Sequence, residues 1–93
     1  MKTRNVRFAL GRVLATPNAI FYLAEHQCLA MSLVERHQRG DWGDVCPDDA
    51  LSNDEAVNTQ GRLLSSYQIG NGKVWVITEA DRSSTTVLLP DDY

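Results

Sequence analysis

The fold of this chain is decided by residues 62–89, RLLSSYQIGNGKVWVITEADRSSTTVLL. Apolar and polar side chains alternate through most of this stretch, which is the period of a β-strand with one buried face. Asn71-Gly72 is the strongest hairpin signal in the chain, and Asp81-Arg82 can form a second tight turn. The stretch therefore predicts a three-stranded antiparallel meander with strands at 62–69, 73–79 and 84–89.

The two turns also predict which side chains face each other. A two-residue turn at Asn71-Gly72 sets Tyr67 opposite Val76 and Ser65 opposite Thr78, and the turn at Asp81-Arg82 sets Thr78 opposite Thr85. One face then carries apolar rows for the helices and ends in a hydroxyl row. The other face carries an apolar patch, which on a small protein is typical of a contact site; the alternatives are a self-association surface or a patch that the N-terminal segment covers. The residues of the hydroxyl row are Ser65, Thr78 and Thr85, and those of the patch are Trp75, Ile77 and Leu88.

The rest of the chain predicts one more strand and two or three short helices. Val6, Phe8 and Leu10 alternate like a strand that could join the meander as its fourth member. Thr16-Pro17 begins a helix to about residue 25, with threonine as N-cap and proline in the first turn. A second helix is predicted over 29–38, and a third from Pro47 to a stop at Gly61. We therefore predict a single α+β domain over residues 1–93, with the helices packed on one face of a three- to four-stranded antiparallel sheet.

Composition limits the class of protein. Hydrophobic residues make up 43% of the 93-residue chain and charged residues 23%, which is ordinary for a soluble domain. No apolar run approaches the roughly 20 residues that a membrane helix needs. Arg12 interrupts the apolar stretch that follows Lys2 and Arg4, which argues against a signal peptide. These features indicate a cytoplasmic protein without a membrane partner.

The net charge of −3 is unevenly distributed. Residues 1–39 carry six Lys/Arg and two Asp/Glu, whereas residues 40–61 carry six acids and no Lys or Arg. An acidic middle of this kind argues against extended binding to a phosphate backbone. It favours a basic surface as the partner.

No pattern in the sequence indicates a cofactor or a metal. Cys28 and Cys46 are the only cysteines, and in a reducing compartment both are expected to be free thiols. A zinc set of His26, Cys28, His37 and Cys46 is conceivable, but its spacings fit none of the usual paired-ligand patterns. Phosphate-binding glycine loops and nucleophile elbows are also missing from the sequence.

The most unusual short segment is RHQRGDWGD, residues 36–44. His37 falls on the apolar stripe of the second helix in its last turn, where either a hydrogen-bonded structural histidine or a working residue is possible. Gly40 is a suitable stop for that helix, because glycine adopts the left-handed conformation at low cost. Trp42, between Asp41 and Gly43, lacks the neighbours of a routine core position and is predicted to be presented by an ordered turn.

Several stretches together resemble a group of small bacterial proteins carried on plasmids, integrative elements and prophages, often labelled plasmid-related. The resemblance covers nearly the whole chain. It implies an accessory role on a mobile element and no particular reaction. The stretches are ATP at 15–17, RHQRGDWGDV at 36–45, Asn53, RLLSSY at 62–67, WVITEADRS at 75–83 and TTVLLP at 85–90.

Two hypotheses about function follow. The first is a protein-binding module whose acids compete for a basic groove on a nucleic-acid-handling complex of the host, such as a restriction or CRISPR effector. Tryptophans would anchor the contact, since this residue is enriched among those that dominate binding energy. The predicted partner-binding residues are Asp41, Trp42, Asp44, Asp48, Asp49 and Trp75.

The second hypothesis is a metal-independent ribonuclease, by analogy with the architecture of small barnase- and RelE-like nucleases. His37 and Glu79 would be the acid and base, and Arg62 and Arg82 would hold the phosphate. Ser65, Thr78 and Thr85 would donate hydrogen bonds. The predicted register opposes this site, because Arg62 and Glu79 share the face of the sheet that the His37 helix does not cover.

Overall fold

The computed structural model describes residues 6–93 and shows an α+β fold, as predicted. Lys2 and Arg4, part of the argument about the N-terminus, lie outside the described residues. Three helices and a short 3₁₀ turn accompany a four-stranded sheet of order β1-β4-β3-β2. The elements in chain order are β1 (Arg12–Ala15), α1 (Pro17–Glu25), α2 (Ala30–Gln38), α3 (Pro47–Thr59), β2 (Leu63–Ile69), β3 (Gly72–Thr78), β4 (Ser84–Leu88) and the 3₁₀ turn (Pro90–Asp92).

The β2–β3 hairpin forms, but its turn lies one residue earlier than predicted. Ile69 pairs with Gly72, so the two-residue loop is Gly70-Asn71. Gly70 has φ +61°, and glycine at the first loop position is what a type II′ turn requires. Tyr67 therefore faces Val74, and the predicted pairing of Tyr67 with Val76 is wrong. Since the register moves by two positions, every side chain keeps its predicted face.

The β3–β4 pairing is confirmed. Thr78 lies opposite Thr85, and Val76 lies opposite Val87. Ser65 faces Val76 and not Thr78, but it is buried on the same face as both threonines. The hydroxyl row is therefore a compact group with one member displaced along its strand.

The fourth strand is not where the sequence pattern placed it. Residues 6–11 contain no strand, and β1 begins at Arg12 and runs parallel to β4. Gly11 makes this entry possible, because its φ is +64° and a Cβ there would collide with the carbonyl oxygens of Arg82 and Ser83. The preceding segment is held at α2 instead, where Arg7 N–H donates to the Gln38 carbonyl at 3.0 Å. The sheet is thus mixed and mostly antiparallel.

The helices begin where predicted. Thr16 accepts a hydrogen bond from Ala19 N–H at 3.1 Å and caps α1. Helix α3 ends at Thr59, and its left-handed C-cap is Gln60 with φ +60°, so the predicted stop at Gly61 is one residue late. Helices α1 and α2 cover one main core, and α3 helps to cover a smaller one. The main core is Ala19, Leu23, Leu33, Val34, Tyr67, Val74, Val76 and Val87, and the smaller is Phe8, Trp42, Ala56 and Leu63.

Candidate functional site

The segment between α2 and α3 runs along the outer edge of β2 and is pinned to it. Helix α2 ends in a Schellman motif, in which Gly40 N–H donates to His37 O and Asp41 N–H to Arg36 O. The chain then meets β2 at Ser66, whose N–H donates to Trp42 O at 3.1 Å and whose carbonyl accepts from Asp44 N–H at 2.6 Å. This contact closes the edge of the sheet that a further strand would otherwise extend.

Gly43 is required for that contact. Its φ is +77°, and a Cβ there would collide with the Ser66 carbonyl oxygen and lie 2.7 Å from the Tyr67 ring. The backbone of the segment therefore sits against β2 with no room for a side chain.

Asn53 attaches α3 to the same edge. Its side-chain amide donates to Leu64 O at 2.8 Å and accepts from Leu64 N–H at 3.2 Å. The side chain reproduces the two hydrogen bonds that a neighbouring strand would make. The segment between α2 and α3 and the helix α3 are thus fixed on β2 by separate sets of hydrogen bonds.

Two of the six acids in residues 40–61 are engaged within the protein. Asp41 accepts from Arg36 Nε at 2.7 Å, and this hydrogen bond lowers the pKa of Asp41 below its ordinary value. Asp54 accepts from the Trp42 indole N–H at 3.0 Å and lies 3.3 Å from Arg7 Nη1. These two carboxylates hold the segment in place.

The other four acids are exposed and form no ion pair with the described residues; we call them the acidic edge. Two of them lie in the first turn of α3, where the helix dipole stabilises negative charge. The acidic edge consists of Asp44, Asp48, Asp49 and Glu55.

A groove of about 240 Å³ lies between α3 and β2 beside the acidic edge. Its polar lining is in part already bonded, since Asn53 is occupied by β2. Arg62 is also occupied, because it donates to Tyr93 Oη at 2.6 Å and lies 3.7 Å from Glu79. Asp49 forms no ion pair with the described residues and is the acceptor that the groove offers to a cationic side chain, while Glu79 partly offsets the charge of Arg62. The groove is lined by Asp49, Ser52, Asn53, Arg62 and Leu64.

The structure does not present Trp42 as a surface anchor. Only 6% of the residue is exposed, and its ring stacks on Phe8 with centroids 6.2 Å apart. The prediction that Trp42 is a surface anchor is wrong. Trp42 is buried because the segment pairs with Ser66, and the neighbouring Asp and Gly residues do not reveal this pairing. The indole contributes to the smaller core.

Trp75 lies on the outer face of the sheet, as predicted, but the apolar patch around it is largely closed. Ile77 and Leu88 are only 3% and 6% exposed, so the prediction of an open patch there is wrong. Trp75 is half-buried, and Tyr93 packs edge-on against it at 5.8 Å. Tyr93 also accepts a hydrogen bond from Arg62, one of the residues that line the groove beside the acidic edge.

His37 is fully buried at the centre of the hydroxyl row. Its Nδ1 lies 2.5 Å from Ser65 Oγ and its Nε2 lies 2.9 Å from Thr78 Oγ1. Thr78 in turn lies 2.7 Å from Thr85 Oγ1, which donates to the Leu10 carbonyl at 2.8 Å. The group links α2, all three meander strands and the segment that precedes β1.

The Leu10 carbonyl, at the end of this group, fixes the direction of its hydrogen bonds. The Leu10 oxygen can only accept, so the Thr85 hydroxyl donates its proton to it. Thr78 must therefore donate to Thr85 Oγ1. His37 Nε2 then donates a proton to Thr78. Burial, together with the nearby charge of Arg82, lowers the pKa of His37 to about 3, so the ring is neutral near pH 7 and its unprotonated Nδ1 accepts from Ser65.

The four residues of the ribonuclease hypothesis do not form an open site. His37 is enclosed, and the Arg82 guanidinium donates to backbone carbonyls of Ala56, Gly61, Glu79 and Ala80 at 2.7 to 3.2 Å. Arg62 and Glu79 form a partly exposed ion pair elsewhere. The arrangement offers a substrate neither an accessible imidazole nor a free phosphate clamp.

Two structural features of residues 6–93 bear on other classes of function: helix length and the grouping of metal-ligating side chains. No helix in this range is long and apolar enough to cross a membrane. The same residues contain no group of three or more His, Cys, Asp or Glu that could hold a metal ion. Of the zinc set considered from sequence, His37 is committed to Ser65 and Thr78, and Cys28 and Cys46 are free thiols.

Comparison of the chain with protein-family models, with curated proteins and with solved structures finds no match.

Proposed function

We propose that this protein is a binding module that acts by presenting its acidic edge to a basic surface of another protein. The observation that carries the proposal is a set of four exposed carboxylates that form no ion pair with the described residues, one on the segment between α2 and α3 and three on α3, both of which are fixed to β2. Asp44 is positioned by the Ser66 contact and the acids of α3 by Asn53. A rigid array of like charge speeds association with an oppositely charged surface and loses little entropy on binding.

The groove gives the contact a specific point. A lysine or arginine of the partner could enter between α3 and β2 and meet Asp49. Tyr93, which accepts from Arg62 of the groove lining, packs on Trp75 next to this point. Trp75 thus keeps a place in the proposal, and Trp42 acts only by holding the segment. Asp41 contributes less than predicted, because Arg36 already neutralises it.

The identity of the partner rests on the sequence resemblance alone. A mobile-element protein of the cytoplasm meets host complexes that handle nucleic acid, and such complexes carry basic grooves. We therefore propose a host defence nuclease system, of the restriction or CRISPR kind, as the target.

The test compares two double variants with equal loss of charge. Asp44→Asn with Asp49→Asn removes charge from the acidic edge, and Glu25→Gln with Asp91→Asn removes it from exposed sites elsewhere. Each protein is immobilised, host lysate is passed over it, and retained proteins are identified by mass spectrometry. We expect a partner that the wild type and the Glu25/Asp91 variant retain and the Asp44/Asp49 variant loses, with an association rate that falls with salt. Identical retained proteins for all three would refute the proposal.

A further inference from the structure

Half of the backbone groups of the edge strand β1 have no hydrogen-bond partner among the described residues. Arg12 N–H donates to Ser83 O at 3.1 Å and Thr16 N–H to Val87 O at 2.9 Å, so residues 12, 14 and 16 face β4. In a parallel ladder the intervening residues point the other way. The N–H and C=O groups of Val13 and Ala15 therefore lie on the free edge.

The two edges of the sheet differ in how they are covered. The β2 edge is closed by the Gly43 bridge and by Asn53, whereas no described residue pairs with the outer side of β1. Val13 and Leu14 are 42% and 41% exposed, on opposite faces of that strand. Uncovered edges of this kind are a template for pairing with another strand, which natural proteins usually prevent.

Helix α1, which follows β1, carries apolar residues that the fold does not use. Ile20 and Phe21 are 56% and 73% exposed, although the same helix buries Ala19 and Leu23 against the sheet. Exposed apolar side chains on the helix that directly follows β1 are a second, independent sign of a missing neighbour.

We propose that β1 pairs antiparallel with β1 of a second copy of this chain, joining the two sheets into one. The outward groups fix the register: Val13 of each copy pairs with Ala15 of the other, and Leu14 lies opposite Leu14. Because both residues of a hydrogen-bonded antiparallel pair exchange both bonds, this register forms four backbone hydrogen bonds.

Three observations favour a second copy over a foreign strand. The outward groups of Val13 and Ala15 complement themselves across a two-fold axis, as a symmetric interface requires. The only charge on β1, Arg12, comes opposite Thr16 of the other copy, while the acidic edge lies at the far side of each sheet. An axis perpendicular to the joined sheet also puts both α1 helices on one side, where Ile20, on the flank of α1 opposite Tyr22, would face the other copy.

The experiment combines solution mass with amide exchange on the full chain. Light scattering and sedimentation from low micromolar to near-millimolar protein should show twice the 10.4 kDa monomer mass at the upper end. Exchange of the Val13 and Ala15 amides should slow as the dimer forms. A monomer at every concentration, with exchange independent of concentration, would overturn the proposal, as would protection that needs an added foreign protein.

Two variants locate the interface. Val13→Pro removes an outward N–H without touching a hydrogen bond to β4, and should raise the dimer dissociation constant at least about tenfold. Ile20→Ser should weaken the dimer as well, whereas Leu51→Ser, at a residue 59% exposed on α3, should not. A dimer that persists in folded Val13→Pro places the interface elsewhere and refutes this one. If that variant does not fold, the amide exchange of the wild type decides.

Discussion

The neutral, buried His37 makes the stability of this fold depend on pH. In the unfolded chain the histidine has its ordinary pKa of 6.5, and in the folded protein the pKa is about 3. Between these values the unfolded chain binds more protons, so acid favours unfolding. The contribution of His37 is fully present above 6.5 and is lost at about 1.36 kcal/mol per pH unit as the pH falls toward 3.

The expected loss is about 2 kcal/mol between pH 6.5 and 5, and about 5 kcal/mol by pH 3. The larger figure approaches the whole stability of many small domains, which is about 5 kcal/mol at the lower end. The structural cause is the fixed order of donors. A protonated ring has two N–H groups, so Nδ1 would have to donate to Ser65 Oγ, whose own proton would then need another acceptor.

The assay is urea unfolding at about pH 7, 6 and 5, followed by the fluorescence of the buried Trp42. His37→Gln should cost about 1–3 kcal/mol at neutral pH, through the buried hydrogen bonds it loses. This difference in the free energy of unfolding between the wild type and the variant should shrink as the pH falls, because only the wild type loses the contribution of His37. His26→Gln is the matched control, since it removes the other, exposed histidine and leaves the His37 term in place.

A cost of His37→Gln that is the same at every pH would refute this reasoning. If the variant does not fold, NMR of the wild type decides instead. The imidazole carbons of His37 should keep the shifts of a neutral ring down to about pH 5, and titration near 6.5 would contradict the assigned proton order.

Three further changes test the devices that hold the candidate site, each by urea unfolding. Gly43→Ala should destabilise the fold by at least about 2 kcal/mol, because φ is strained for alanine and the Cβ meets Ser66; a loss under about 0.5 kcal/mol would contradict the close contact. Asn53→Ala should cost about 2 kcal/mol by leaving Leu64 unpaired, whereas exposed Asn58→Ala on the same helix should be neutral; equal effects would count against the edge-closing role. Arg82→Lys should cost about 1–3 kcal/mol, since an ammonium cannot reach four carbonyls, with Arg39→Lys as the surface control.

The sheet was predictable from sequence because its signals are local and redundant. Alternation along 62–89 identifies the faces, and a turn misplaced by one residue shifts the register by two and returns every side chain to its own face. For this reason Ser65, Thr78 and Thr85 could be grouped without knowing whether the loop used Asn71-Gly72 or Gly70-Asn71.

The acidic edge and the buried Trp42 are features that local sequence signals could not fully predict. The run of acids was visible, but which of them are free depends on Arg7 and Arg36, whose positions follow from the fold. Burial of Trp42 depends on a backbone contact with Ser66, more than twenty residues away. The alternation of Val6, Phe8 and Leu10 was misleading for a related reason, since a buried Phe8 against Trp42 needs no strand.

The proposed partner-binding surface and the proposed dimer contact lie at opposite edges of one sheet. The β2 edge is closed by backbone and amide contacts, so charge can be displayed there without the risk of strand pairing. Strand β1 contains no acid and no described residue closes its outer edge, so a second copy can add there without bringing the negative edges together. A dimer built through β1 would carry one acidic edge at each end of a continuous sheet. Two copies of a basic site, spaced to match, would then be bound with an avidity that neither edge has alone. The open edge and the charged edge are in this sense parts of one arrangement, although each can be tested without the other.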